Sequence, residues 1–158
     1  MALDQAAISA VYSTVLSHVS ATGQYGAVNG HEPKSTPPVG APTAGVWAAY
    51  LGPAVGSGLA VTSALLVVQV RTYSPMLAQT REAADAMDPR LLTACSAVIG
   101  ALAADLDLGG QARCVDVRGM SGRRMEAQAG YVEMSGKLQR ILDLSVPILI
   151  NDAWVETP

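Results

Sequence analysis

His31-Glu32 is the one local grouping in this chain of residue types suited to acid–base chemistry, and His18 is the only other histidine. A His–carboxylate pair can act as base and orienter, but that work also needs a pocket and a third partner. The sequence shows neither, and the plainer reading is a loop pair that makes turn hydrogen bonds or touches a neighbouring subunit. Gly52, Gly56 and Gly58 invite a phosphate-loop reading. No Gly-Lys-Ser/Thr follows them, and the next element reads as a strand, whereas such a loop needs its amides and lysine at a helix start. There is no G-x-S-x-G elbow, no H-E-x-x-H helix and no paired C-x-x-C. Cys95 and Cys114 lack metal-ligand spacing and read as buried, reduced core residues. The residue types therefore point away from an enzyme, and toward a chain with no metal and no cofactor.

Arg113, Arg118, Arg123 and Arg124 form the one basic concentration. It can dock an acidic partner surface or passing phosphates, or it can be a solvated loop offset by Asp116 and Glu126. Trp154, after Asn151-Asp152, can plug a core edge or anchor an interface.

The elements that hold these residues follow from periodicity. Leu138, Leu142, Leu144, Val146, Ile148 and Ile150 fall on one face of a long strand, with Gln139, Asp143, Ser145 and Pro147 on the other, which predicts a sheet with one wet face. Pro147 has no N–H to give a ladder and predicts an edge or a bulge. Val61 to Tyr73 matches that length, and its rows Ala64, Leu66, Val68, Val70 and Leu65, Val67 predict an interior strand buried on both sides. Ile8, Val11, Tyr12, Val15, Leu16 and Val19 make a helical stripe, capped by Asp4 and ended by Gly23. Asp88-Pro89 reads as the start of a second helix with the stripe Leu91, Leu92, Cys95, Val98, Ile99 and Leu102.

Shorter strands are expected at Tyr25 to Val28, Gly45 to Leu51 and Ala112 to Val117, with Gly52 to Gly58 as a turn region. Ala127 to Met134 is expected to turn at Ser135-Gly136 into the long strand, giving a C-terminal hairpin over 127–150. Residues 31–43 (HEPKSTPPVGAPT) carry four prolines and read as a surface loop. Two one-sided helices and a sheet with a face to cover predict an α+β fold, a mainly antiparallel sheet with both helices on one face, as a single domain over 1–158.

Half of the 158 residues are apolar, yet Phe is absent, so the core is built from Val, Leu, Ile and Ala. The net charge of −3 argues against general affinity for nucleic acid or an anionic membrane surface. The N-terminus lacks a basic region followed by an apolar run, so a signal peptide is not expected. No apolar run reaches the ~18 residues of a membrane span, and a protein that is intracellular, or is assembled into something inside a cell, is expected.

The order of parts then becomes informative. An N-terminal helix, Val28-Asn29-Gly30-His31-Glu32-Pro33-Lys34-Ser35 and a Val-Trp strand resemble the tail terminator or tail-completion proteins of long-tailed (siphovirus-type) phages of actinobacteria. So does the C-terminal part, from Ala127-Gln128-Ala129-Gly130-Tyr131 through a Gly-centred turn to Val146–Ile150 and Asn151-Asp152-Ala153-Trp154. The resemblance runs over nearly the whole chain. It implies a fold similar to lambda-type tail terminators and a homohexameric ring that caps the head-proximal end of the tail tube. The implied partners are further copies of itself, the tail tube protein and a head-completion or neck protein. Genomic DNA would pass through the lumen without specific binding, no membrane would be involved, and assembly would occur in the host cytoplasm. The family has no catalytic residues to carry over. Surfaces take their place: His31, Glu32, Pro33 and Lys34 in the loop 31–42, Arg118, Arg123 and Arg124, and Trp154 become candidate inter-subunit or tube contacts. Another neck ring or a tube protein is the near alternative, and a small cellular ligand-binding or hydrolytic domain centred on His31 and Glu32 the distant one.

Overall fold

The computed structural model describes residues 3–38, 40–55, 61–76 and 84–155. The elements run α1 (Gln5–Ala21), β1 (Ala27–Asn29), β2 (Thr43–Pro53), β3 (Val61–Pro75), α2 (Ala84–Ala104), β4 (Cys114–Val115), β5 (Glu126–Met134) and β6 (Lys137–Val155). The fold is α+β. One curled sheet has the order β1-β2-β3-β6-β4, with β5 also on β6, and every pairing but β1–β2 is antiparallel.

The long strands carry the expected rows, except that Leu138 at the start of β6 is exposed. Ala64, Leu66, Val68 and Val70 of β3 share one core with Leu142, Leu144, Val146, Ile148 and Ile150 of β6, and the helices close it with Val11, Val15 and Val19 and with Leu91, Cys95, Val98 and Leu102. Both helices lie on that face. Asp4 caps α1 by accepting from the Ala7 N–H at 2.8 Å, and Gly23 leaves it at φ +66°. α2 is long and apolar enough by length and composition to cross a membrane, but its apolar stripe, apart from exposed Leu92, is packed in this core. Cys95 is buried there, and burial pushes its thiol up to about 11. Cys114 is only half-buried, so the expectation of two core thiols holds for Cys95 alone.

Several expectations need correction. α2 starts at Ala84, so Asp88 is no cap and Pro89 lies inside the helix. The Asp88 carboxylate instead takes the Arg140 guanidinium through two bonds of 2.9 and 3.0 Å, tying α2 to β6. The strand expected over Ala112 to Val117 shrinks to two residues, because Asp116 turns its carboxylate back on the following loop. Gly52 and Pro53 belong to β2, and the rest of the expected turn lies largely outside the described residues.

Pro147 is not at the sheet's edge. β6 has β3 along one side, and along the other β5 reaches only Ser145 while β4 begins at Ile148. The proline sits at the gap between those two partners, where no donor is needed, and its carbonyl accepts from the Asp116 N–H at 2.8 Å. The missing N–H that marks an edge marks a break in the ladder equally well.

The wet face is only partly wet. Gln139 and Pro147 are buried on it, and Ala54, Leu65 and Val67 form a second small apolar cluster with Leu149. Loops fold back across this outer face and cover much of it.

Candidate functional site

The outer face, opposite the helices, gathers most of the residues the sequence singled out. At its centre Arg71 of β3 stands in register with Asp143 of β6 and binds it through Nε at 2.5 Å and Nη2 at 2.9 Å. Its Nη1 donates to Glu32 at 3.0 Å, and the guanidinium lies 5.1 Å from the Trp47 ring and 5.9 Å from that of Tyr73. Burial works against this charge, but the hydrogen bonds and charge of Asp143 outweigh it and hold the Arg71 pKa above its ordinary value.

The proline-rich loop is strapped over the same face. Glu32 pins its start to Arg71, Pro33 packs against Gly45, and the Thr36 hydroxyl donates to the Met134 carbonyl at 2.8 Å. A Cβ at Gly45 would meet the Pro33 Cδ at 2.6 Å and the His31 carbonyl at 3.2 Å, so glycine is what lets the loop lie this close. His31 and Lys34 are exposed on it. His18 does not join them: its Nε2 lies 2.8 Å from the Asp105 carboxylate, closing the end of α1 onto the turn after α2. Asp105 is held below its ordinary pKa by the Gly109 N–H and by His18. Of the acid–base cluster the sequence allowed, Glu32 is thus taken by Arg71 and His18 by Asp105, well apart from each other.

The loop from Val117 to Met125 is built on Asp116. Its carboxylate accepts the N–H groups of Gly119, Met120 and Ser121 at 2.8, 3.0 and 2.6 Å, and the Ser121 hydroxyl at 2.6 Å. Burial pushes the Asp116 pKa up, but these bonds, led by those from Ser121, outweigh it and leave it lowered. Gly119 turns there at φ +83°, where a Cβ would meet the Arg124 Cβ at 2.9 Å. So fixed, the loop presents its arginines around a recess of about 510 Å³ whose floor includes Val67 and Pro147. Arg123 stacks on Tyr50 at 4.3 Å, and Arg124 pairs with Glu126 at 3.1 Å. Arg118 is exposed at the rim. A second recess of about 370 Å³ adjoins it along Trp47, Gln69, Arg71 and Asp143, with Glu126 lining both.

Trp154 lies apart. It pairs with Thr62 past a bulge in which Asp152 takes φ 52°, and stays 37% exposed, so it is not the core plug that one reading expected. Among the described residues no group of three or more His, Cys, Asp or Glu side chains is placed to hold a metal ion. Arg71, Asp143, Trp47 and Gln69 were missed as site residues. Their signal was present: a charge of each sign on the outer rows of the two longest strands.

No family model matches the chain, and no curated protein matches it in sequence. Among solved structures it is similar to the sheath/tube terminator of an extracellular contractile injection system (PVC) in its extended state, with a TM-score of 0.39 and 10% identity. The match takes in the whole of this chain and 61% of that one, so this chain spans less than two thirds of its length.

Proposed function

We propose that this chain is a structural tail terminator of a siphovirus-type actinobacterial phage. Copies of it close into a ring, a hexamer by the sequence resemblance, at the head-proximal end of the tail tube. The ring stops tube polymerisation and joins the tail to the neck. The observation that carries this reading is the outer face. Its polar groups are spent on holding two loops in place, by Arg71 with Glu32 and by Asp116 with its four donors, and not on converging around a substrate. A fixed polar relief serves docking of another surface.

A ring uses head-to-tail contacts, in which two different patches of the subunit meet. The loop bearing His31, Glu32, Pro33 and Lys34 and the recess rimmed by Arg118, Arg123 and Arg124 supply two such patches, and exposed Trp154 a third anchor. The net charge of −3 suits a lumen that DNA crosses without sticking. A hydrolytic reading centred on His31 and Glu32 is disfavoured because Glu32 is engaged by Arg71 and His18 by Asp105.

The test is to add the purified chain to polymerising tube protein of the same phage and measure tube lengths by negative-stain microscopy. Shortened tubes bearing one extra ring at a single end are expected, with Arg118→Glu/Arg123→Glu/Arg124→Glu weakening the effect at least tenfold. Incorporation all along the tubes would make the chain a tube protein, and no change in length would overturn the reading.

A further inference from the structure

The sheet has two margins, and they are unlike. Along β2, β1 covers only Thr43 to Gly45, the Val46 carbonyl accepts from the Tyr12 hydroxyl, a bulge falls between Ala48 and Tyr50, and Pro53 ends the strand. Bulges and prolines are devices that keep an edge from pairing. β5 has none of them: nine residues without proline, bulge or lysine, and no strand beyond it among the described residues.

The hairpin fixes which way the β5 backbone points. Ser135 and Gly136 have φ of 52° and 72°, a two-residue turn that makes Met134 and Lys137 its closing hydrogen-bonded pair. Bonds to β6 then fall on Met134, Val132, Gly130, Gln128 and Glu126. The N–H and C=O groups of Ala127, Ala129, Tyr131 and Glu133 point away from the sheet.

We propose that this edge pairs with the same edge of a second copy, the two β5 strands running antiparallel about a twofold axis through Gly130. That register overlaps all nine residues. It sets Ala129 opposite Tyr131 and Ala127 opposite Glu133, each outward N–H facing a carbonyl, while Gln128 meets Val132 and Glu126 meets Met134. No like charges face each other. On the helix side Ala127, Ala129 and Tyr131 are exposed, Tyr131 by 58%. In the pair each tyrosine lies over the small side chain of the other copy. A second copy fits because the strand is complementary to itself in this register, whereas the bulged spacing of β2 does not match an unbroken β5. A twofold pair closes after two copies, so this contact is separate from the head-to-tail contacts of the proposed ring.

Gly130 sits on the axis in a non-hydrogen-bonded pair, where Cα atoms approach to about 4.5 Å, within disulfide reach. A Cβ there meets only Ile141, at an ordinary 3.5 Å. In a Cys114→Ser background, Gly130→Cys is expected to give a disulfide-linked dimer on oxidation, and Gln128→Cys none. Native mass spectrometry should show a dimer of the unmodified chain that Ala129→Pro converts to monomer. The circular dichroism should not change, because Ala129 gives no bond to β6. Ala129→Lys serves if the proline variant misfolds. A chain monomeric at all concentrations, or a dimer that survives both substitutions without the Gly130→Cys crosslink, would overturn the proposal. Loss of tube capping with the dimer intact removes the ring reading alone.

Discussion

Arg71 and Asp143 face each other across β3 and β6 on the face away from the helices, joined by two bonds of 2.5 and 2.9 Å and with side chains 19% and 25% exposed. Glu32 reaches the same guanidinium from a loop at 3.0 Å but is 57% exposed. One arginine thus holds a partner within the sheet and a partner that merely lies on it, and the two should differ in worth. Asp143→Ala, which strands a largely shielded charge, is expected to cost about 2–3 kcal/mol. Glu32→Ala should cost less than about 1 kcal/mol. Urea midpoints measure both, and equal losses would contradict this ranking.

Gln139 is fully buried, and neither end of its amide has a hydrogen-bond partner among the described residues. A buried amide without partners costs roughly 1–3 kcal/mol. Gln139→Met keeps the volume and removes the cost, so a melting temperature raised by about 3 °C or more is expected. A lower value would mean that the amide is satisfied in solution.

The Asp116 carboxylate organises the arginine loop, and its pKa is lowered in the folded chain. A lowered carboxylate contributes stability above its ordinary pKa of 3.8, and that stability is lost as pH falls through the lower folded value. Exchange of the Ser121 amide, corrected for the intrinsic rate, should therefore be slow at neutral pH and quicken only in strong acid. Asp116→Asn should remove that acid step. At neutral pH it should speed tryptic cleavage at Arg118, Arg123 and Arg124 by about tenfold, roughly the 1.4 kcal/mol of a charge-assisted bond.

Gly45→Ala places a methyl where Pro33 and the His31 carbonyl already lie. Neither can rotate away, so the loop must lift, at a cost of about 1–3 kcal/mol. The expected result is new tryptic cleavage after Lys34 with β2 and β3 still formed. An unchanged digest would show that the loop does not rest on Gly45.

The core was legible because its signal is local. Val11, Val15 and Val19 on α1 and the alternating rows of β3 and β6 need only the periods of helix and strand to be read. The start of α2 was misread because Asp88-Pro89 has the chemistry of a cap, while what engages Asp88 is Arg140, 52 residues away in sequence. The outer face was least legible. Arg71, Asp143 and Glu32 meet only once β3 and β6 are in register and the proline loop has folded back, and no spacing encodes either event. His18 illustrates the reverse: the sequence permitted it to join His31, and the turn at Asp105 claims it.

Pro147, on the floor of the arginine-rimmed recess, also has a say in where the molecule keeps its positive charge. β3 passes Pro147 unbroken on one side, but on the other, where the proline has no hydrogen to offer, the neighbour arrives as two pieces, β4 and β5. The ten residues that join those pieces, 116–125, have to leave the sheet, and Arg118, Arg123 and Arg124 all travel with that detour. One absent hydrogen atom thereby acts as punctuation. It ends one clause of the sheet, opens another, and leaves the cationic phrase standing between them on the open face.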